Sequence, residues 1–187
     1  MTNSAETQSA PGRIVLFNGP PSSGKTSLVN ALIDQRTDPW FHLSLDEFHA
    51  AISERFWRDD GGELFERLIV GYLGAVRAIA LAGFDVMAEA VLVPARRSLY
   101  DETFGALATL LIAVRCPLDV VIHREKCRSD RRGGPIDFPA DYFEAVYSRL
   151  TYDFEVASET ANPSELALLV GANLDQLVPS SFATHLI

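Results

Sequence analysis

The residues Gly19-Pro20-Pro21-Ser22-Ser23-Gly24-Lys25-Thr26 satisfy the spacing G-x-x-x-x-G-K-[ST] in full. Such a loop suits phosphate, because glycines let backbone N–H groups curl around an anion without Cβ interference and a following helix N-terminus adds partial positive charge. Gly19 through Ser27 would then cradle the phosphates of ATP, with Lys25 reaching the β- and γ-phosphates and Thr26 ligating Mg²⁺. The competing reading is a glycine-rich turn with a solvated lysine. Placement disfavours it: Ile14-Val15-Leu16-Phe17 ahead of the motif is short, apolar and β-prone, and Leu28, Val29, Leu32 and Ile33 behind it recur at helical spacing.

Three further groups could act on a bound nucleotide. Asp46 is expected at the carboxyl end of a second strand, Phe41 to Leu45, where it could accept the proton of a hydroxyl attacking the γ-phosphate. The alternative is an Asp that caps a helix beginning at Glu47. Arg124, Arg128, Arg131 and Arg132 concentrate positive charge in an acidic chain, and planar guanidinium groups suit the equatorial oxygens of a transferring phosphoryl group. We assign Arg128 and Arg131 to catalysis and Arg124 and Arg132 to nucleotide binding, on a loop from Arg128 to Pro139 that closes as a lid; the alternative is a solvated face paired to Glu125, Asp130 or Asp137. Glu89, near the end of a third strand, is the candidate partner of Thr26 for the metal, against pairing with an arginine such as Arg96. The histidines His42, His49, His123 and His185 show no ligand spacing, and His49 alone is expected to face the pocket.

The elements that position these groups alternate along the chain. Strands are expected at Ile14 to Phe17, Phe41 to Leu45, Asp85 to Ala90, Thr109 to Arg115 and Phe154 to Ala157. Between them lie helices, among them a long one from Glu63 to Ala82 stopped by Gly83, and a last one announced by Asn162, Pro163 and Glu165. This alternation implies an α/β P-loop NTPase fold, a five-stranded, mostly parallel sheet with helices on both faces and an arginine-bearing lid. With 187 residues the chain fits one domain, here 13–178, preceded by a flexible segment 1–12 and followed by a tail 179–187. The formal charge of −9 opposes a nucleic-acid partner and leaves a small molecule bearing a hydroxyl as the acceptor. Cys116 and Cys127 have neither zinc nor redox spacing. No run approaches the roughly 20 apolar residues of a membrane span, and the polar N-terminus lacks the pattern of a secretory signal, so the cytoplasm is the expected location. The sequence is silent on oligomeric state.

Taken together, these residues resemble the chloramphenicol phosphotransferase family of small P-loop kinases, from about Arg13 to Leu174. The likeness is carried by Ile14 to Thr26, by Asp46, by Val114-Arg115-Cys116, and by the stretch of Arg124, Glu125, Arg128, Asp130, Arg131 and Gly134. Tyr152, Asp153, Glu155 and Val156 extend it. The resemblance implies ATP-dependent O-phosphorylation of an antibiotic hydroxyl, with Asp46 as base and the arginine loop as lid. In one respect the chain departs from similar proteins: where they carry paired aspartates at the third strand's end, it has Ala88-Glu89. The segment between Phe48 and Gly62 should line the acceptor pocket. Two other readings stay open, a kinase of a small metabolite such as a nucleoside, sugar acid or nucleotide sugar, and a nucleotide-binding regulator. No N-K-x-D guanine signature is present.

Overall fold

The computed structural model describes residues 10–57, 62–128 and 140–187. Five parallel strands form one sheet in the order β2-β3-β1-β4-β5: β1 Ile14–Asn18, β2 Trp40–Leu43, β3 Asp85–Ala90, β4 Thr109–Arg115 and β5 Phe154–Ala157. The helices are α1 Lys25–Gln35, α2 Leu45–Ala50, α3 Glu63–Leu81, α4 Arg97–Phe104, α5 Leu118–Cys127, α6 Ala140–Tyr147 and α7 Pro163–Leu174. Parallel neighbours need crossovers, and these helices supply them, so both faces of the sheet are covered and its central strands carry apolar residues on both faces.

The period of two in β1 divides the core. Ile14 and Leu16 face α3 and α4 with Tyr72, Val76, Tyr100 and Phe104, whereas Val15 and Phe17 face α1 and α7 with Leu28, Val29, Leu32 and Val170. All four β1 residues named are fully buried. In β3 the same alternation puts Val86, Ala88 and Ala90 on the α3 side and Met87 on the α1 side. Glu89 therefore shares the α1 face, level with Phe17 of β1, where the first turn of α1 lies within its reach.

Most boundaries fall within a residue of expectation, and two regions depart further. The second strand ends at Leu43 rather than Leu45, because Ser44 takes an extended conformation and accepts a hydrogen bond from the backbone N–H of Asp46 (3.3 Å), starting α2 at Leu45. At the other end, residues expected as a tail are tied to the domain. Thr109 bridges Ser180, Leu150 bridges Leu186, and Phe182 is fully buried against Tyr100 and Phe104. The last long helix carries the full capping box expected of Asn162 and Glu165. Cys116 is buried and Cys127 exposed, both reduced.

Candidate active site

The phosphate loop joins β1 to α1 at the carboxyl edge of the sheet, where the strand order reverses about β1. Its close packing explains the two glycines. A Cβ on Gly19 would stand 2.7 Å from the Val114 carbonyl oxygen, and Gly24 sits at φ 97° as the residue from which α1 departs. Between them Ser22 occupies the left-handed region at φ 61°, and the N–H of Ser23 closes a turn onto the Pro20 carbonyl (3.2 Å). Asn18, fully buried at the end of β1, anchors the loop's first step. Its amide donates to the Val146 carbonyl (2.9 Å) and the Tyr152 hydroxyl (2.7 Å), while its oxygen accepts from the Leu92 N–H (2.9 Å). Burial raises the Tyr152 phenol to about 12, so it stays protonated in this network.

Lys25 is 7% exposed, and its ammonium donates to the carbonyls of Gly19 (2.9 Å) and Pro20 (3.0 Å), bringing it back over the loop from which α1 starts. Ser23 is fully buried, and its Oγ has no hydrogen-bond partner among the described residues. An orphaned hydroxyl inside a loop of this shape fits a phosphate oxygen.

Thr26 donates to Glu89 Oε2 (2.9 Å), and the other oxygen of the same carboxylate meets His42 Nε2 (3.0 Å). Glu89 is 8% exposed, so both oxygens are held in a dry environment. The Tyr72 hydroxyl, kept protonated by burial, shares its one proton between the backbone carbonyls of Glu89 (2.7 Å) and Leu43 (3.0 Å) and so pins the ends of β3 and β2 together. A hydroxyl and a carboxylate side by side are hard oxygen donors and fit Mg²⁺ beside a nucleotide. The alternative partner for Glu89, Arg96, instead bonds Glu66 (2.6 Å). His42 was not legible as a site residue, since its partner lies 47 positions away on another strand.

Asp46 lies in the first turn of α2 with its side chain 70% exposed, and the cap of that helix is Ser44. The capping alternative is thereby corrected: a small hydroxyl two positions earlier does that work, leaving the Asp46 carboxylate open to solvent and favoured by the helix dipole. Arg128 Nη2 stands 3.9 Å from Asp46 Oδ2, a long ion pair that brings the end of α5 to the start of α2. Arg124 turns inward, donating to the Ser158 hydroxyl (3.0 Å) and carbonyl (3.1 Å) and reaching the Ser23 carbonyl (3.4 Å). Glu125 is 1% exposed, so it does not lie on a solvated face, and it accepts from the Ser22 hydroxyl. Arg131 and Arg132, with the rest of the expected lid through Pro139, lie outside the described residues.

Past the end of β3 is an open hollow of about 610 Å³ lined by Glu66, Val93 to Arg96, Tyr142 and Ala145. A second, of about 360 Å³, is lined by Ile52, Phe56, Glu63, Leu64 and Arg67, partly in the segment expected to hold the acceptor. In that segment His49 stacks on Trp57 at 4.1 Å. Among the described residues no helix is long and apolar enough to cross a membrane.

With this geometry in place, a family model described as chloramphenicol phosphotransferase-like protein matches residues 12–175. A protein of Mycobacterium tuberculosis (strain ATCC 25618 / H37Rv), whose name assigns it provisionally as an O-phosphotransferase, is 26% identical over 182 residues, covering 83% of this chain and 79% of that protein. Among solved structures, the tunicamycin resistance protein of Deinococcus radiodurans is similar with a TM-score of 0.64 at 18% identity, covering 90% of this chain and 98% of the other. Shikimate kinase from Acinetobacter baumannii, in complex with shikimate, matches at 0.61 and 15% identity, over 90% and 96% of the two chains. The Mycobacterium tuberculosis APS kinase CysC, in complex with AMPPNP and APS, matches at 0.58 and 17%, over 88% and 98%. At these identities the likeness to solved structures is one of fold.

Proposed function

The chain belongs to the chloramphenicol phosphotransferase-like family, and from that premise we propose that it transfers the γ-phosphoryl group of ATP to a hydroxyl of an uncharged antibiotic-like molecule such as chloramphenicol. The coarser statement, a P-loop phosphotransferase with an alcohol acceptor, follows from the family and the fold. The observation that carries the finer reading is the convergence, on one edge of the sheet, of the Lys25 cradle, the Thr26–Glu89 pair and the open carboxylate of Asp46.

In this reading Asp46 takes the proton of the acceptor hydroxyl as its oxygen forms the new bond to phosphorus and the bond to the bridging oxygen of ADP breaks. Lys25 offsets charge that develops on the phosphates, and the orphaned Ser23 hydroxyl adds a donor. Arg128, beside Asp46, guides the acceptor side of the γ-phosphate, while Arg131 and Arg132 are assigned to the lid and Arg124 to the nucleotide side. Thr26 and Glu89 would hold Mg²⁺, which when bound neutralises charge shared between the β- and γ-phosphates. ATP as donor is in keeping with the AMPPNP bound to the APS kinase of similar fold, and a cytoplasmic location would supply it.

We place the acceptor in the hollow past β3, whose lining among the described residues favours a neutral molecule. Among the described residues the hollow's one lining guanidinium, Arg96, is bonded to Glu66, whose carboxyl that contact holds below the usual range, and Val93, Pro94 and Ala95 add apolar lining. To gain that arginine an anionic acceptor would have to break the pair. Turnover with ATP and Mg²⁺ across chloramphenicol, neutral nucleosides, sugar acids and nucleotide sugars tests this. Release of ADP should be accelerated most by a neutral, partly apolar alcohol. A preference for the anionic compounds would make the protein a metabolite kinase, and slow ATP turnover unaffected by every acceptor would make it a nucleotide-binding regulator.

A further inference from the structure

We propose that Glu125 is a positioning residue for the phosphate loop, acting through Ser22 to hold the loop in its anion-binding shape. The inference rests on reading Gly19 to Thr26 as a nucleotide cradle. The four variable positions of that loop are Pro20, Pro21, Ser22 and Ser23, so it contains no interior glycine, and two of the four lack an N–H. The crest must nonetheless turn through the left-handed region, and it does so at Ser22, φ 61°, a conformation that a Cβ disfavours.

Two consecutive residues of α5 grip that crest. Glu125 accepts the Ser22 hydroxyl, and Arg124 reaches the carbonyl of Ser23 while fastening itself to Ser158 beyond β5. Glu125 is 1% exposed, and a buried carboxylate needs donors of this kind to persist. Its charge makes it a poor direct partner for a triphosphate, and the loop residue whose hydroxyl it accepts is Ser22. Strain at a functional loop, held by a surrounding contact, is the expected signature of pre-organisation.

A double-mutant cycle separates this role from a merely structural one. Glu125→Ala and Glu125→Gln are made in the native chain and in Ser22→Gly, and ATP affinity is measured directly without acceptor, alongside Tm. Loss of the anchor should weaken ATP binding about tenfold in Glu125→Ala, the factor that corresponds to the strain of one left-handed non-glycine residue. Glu125→Gln, which can still accept a hydrogen bond, should lose less. In the Ser22→Gly background the same substitutions should change ATP affinity less than about twofold, since glycine adopts the turn unaided. Equal losses in both backgrounds, or a lowered Tm with ATP affinity intact, would overturn the inference. If Glu125→Ala does not fold, the Glu125→Gln arm carries the same comparison. A native protein that binds no ATP would remove the cradle reading itself, an outcome distinct from either.

Discussion

Lys25→Ala is expected to lower kcat by about 10²–10³ or more, the loss that follows removal of one positioned electrostatic donor from a water-poor site. Lys25 is 7% exposed and its ammonium is held by the carbonyls of Gly19 and Pro20, so it is already aimed over the loop before nucleotide arrives. Its removal leaves two buried carbonyls short of a donor, and the stability cost should stay near the roughly 1–3 kcal/mol of a buried polar group left unsatisfied. Rate and Tm measured on the same preparation separate the two effects. A folded Lys25→Ala protein with native turnover would contradict the assignment of the cradle.

Asp46→Asn is expected to reduce kcat by about 10²–10⁴ while leaving ATP affinity nearly unchanged, because a positioned general base acts on the acceptor's proton and not on the nucleotide. The fold should be indifferent to the change. Ser44, not Asp46, caps α2, and the side chain of Asp46 is 70% exposed. Ser44→Ala is the matched control, with a stability loss of about 0.5–2 kcal/mol typical of a lost N-cap. Full activity in Asp46→Asn would remove the base from the mechanism; a loss that appears only in ATP binding would reassign Asp46 to holding Arg128.

Four of the five strands were legible from sequence to within a residue, because each is a short apolar, β-prone run. Asp85–Ala90, Thr109–Arg115 and Phe154–Ala157 have the same limits in the structure as in the sequence reading, and β1 runs one residue further, to Asn18. The second strand was not, since Leu45 continues the apolar run yet belongs to α2, and only the extended backbone and hydroxyl of Ser44 mark the change. Phe182 and Leu186 were too short a run to show periodicity, although their burial beside Tyr100 and Leu150 is what fastens the end of the chain.

At the site, local spacing revealed what is local. The cradle could be read because its residues are contiguous, and Glu89 because it sits at the end of an apolar strand. The contacts that hold them come from far along the chain: His42 to Glu89 across 47 positions, Glu125 to Ser22 across 103, and Asn18 to Tyr152 across 134. Lone residues of these types carry no periodic signal, and only the parallel register of β2 on β3 and the packing of α5 against the loop make them neighbours. The hollow past β3 was likewise hidden, because α3, α6 and the segment after β3 contribute to it separately.

The central claim is transfer of a phosphoryl group to an alcohol, and phosphorus NMR of the protein with ATP, Mg²⁺ and the best neutral acceptor observes that transfer directly. A new phosphomonoester resonance should grow in step with ADP, and should vanish when the reacting hydroxyl of the acceptor is replaced by hydrogen. Inorganic phosphate appearing at the same rate with and without acceptor, and no ester, would contradict the account.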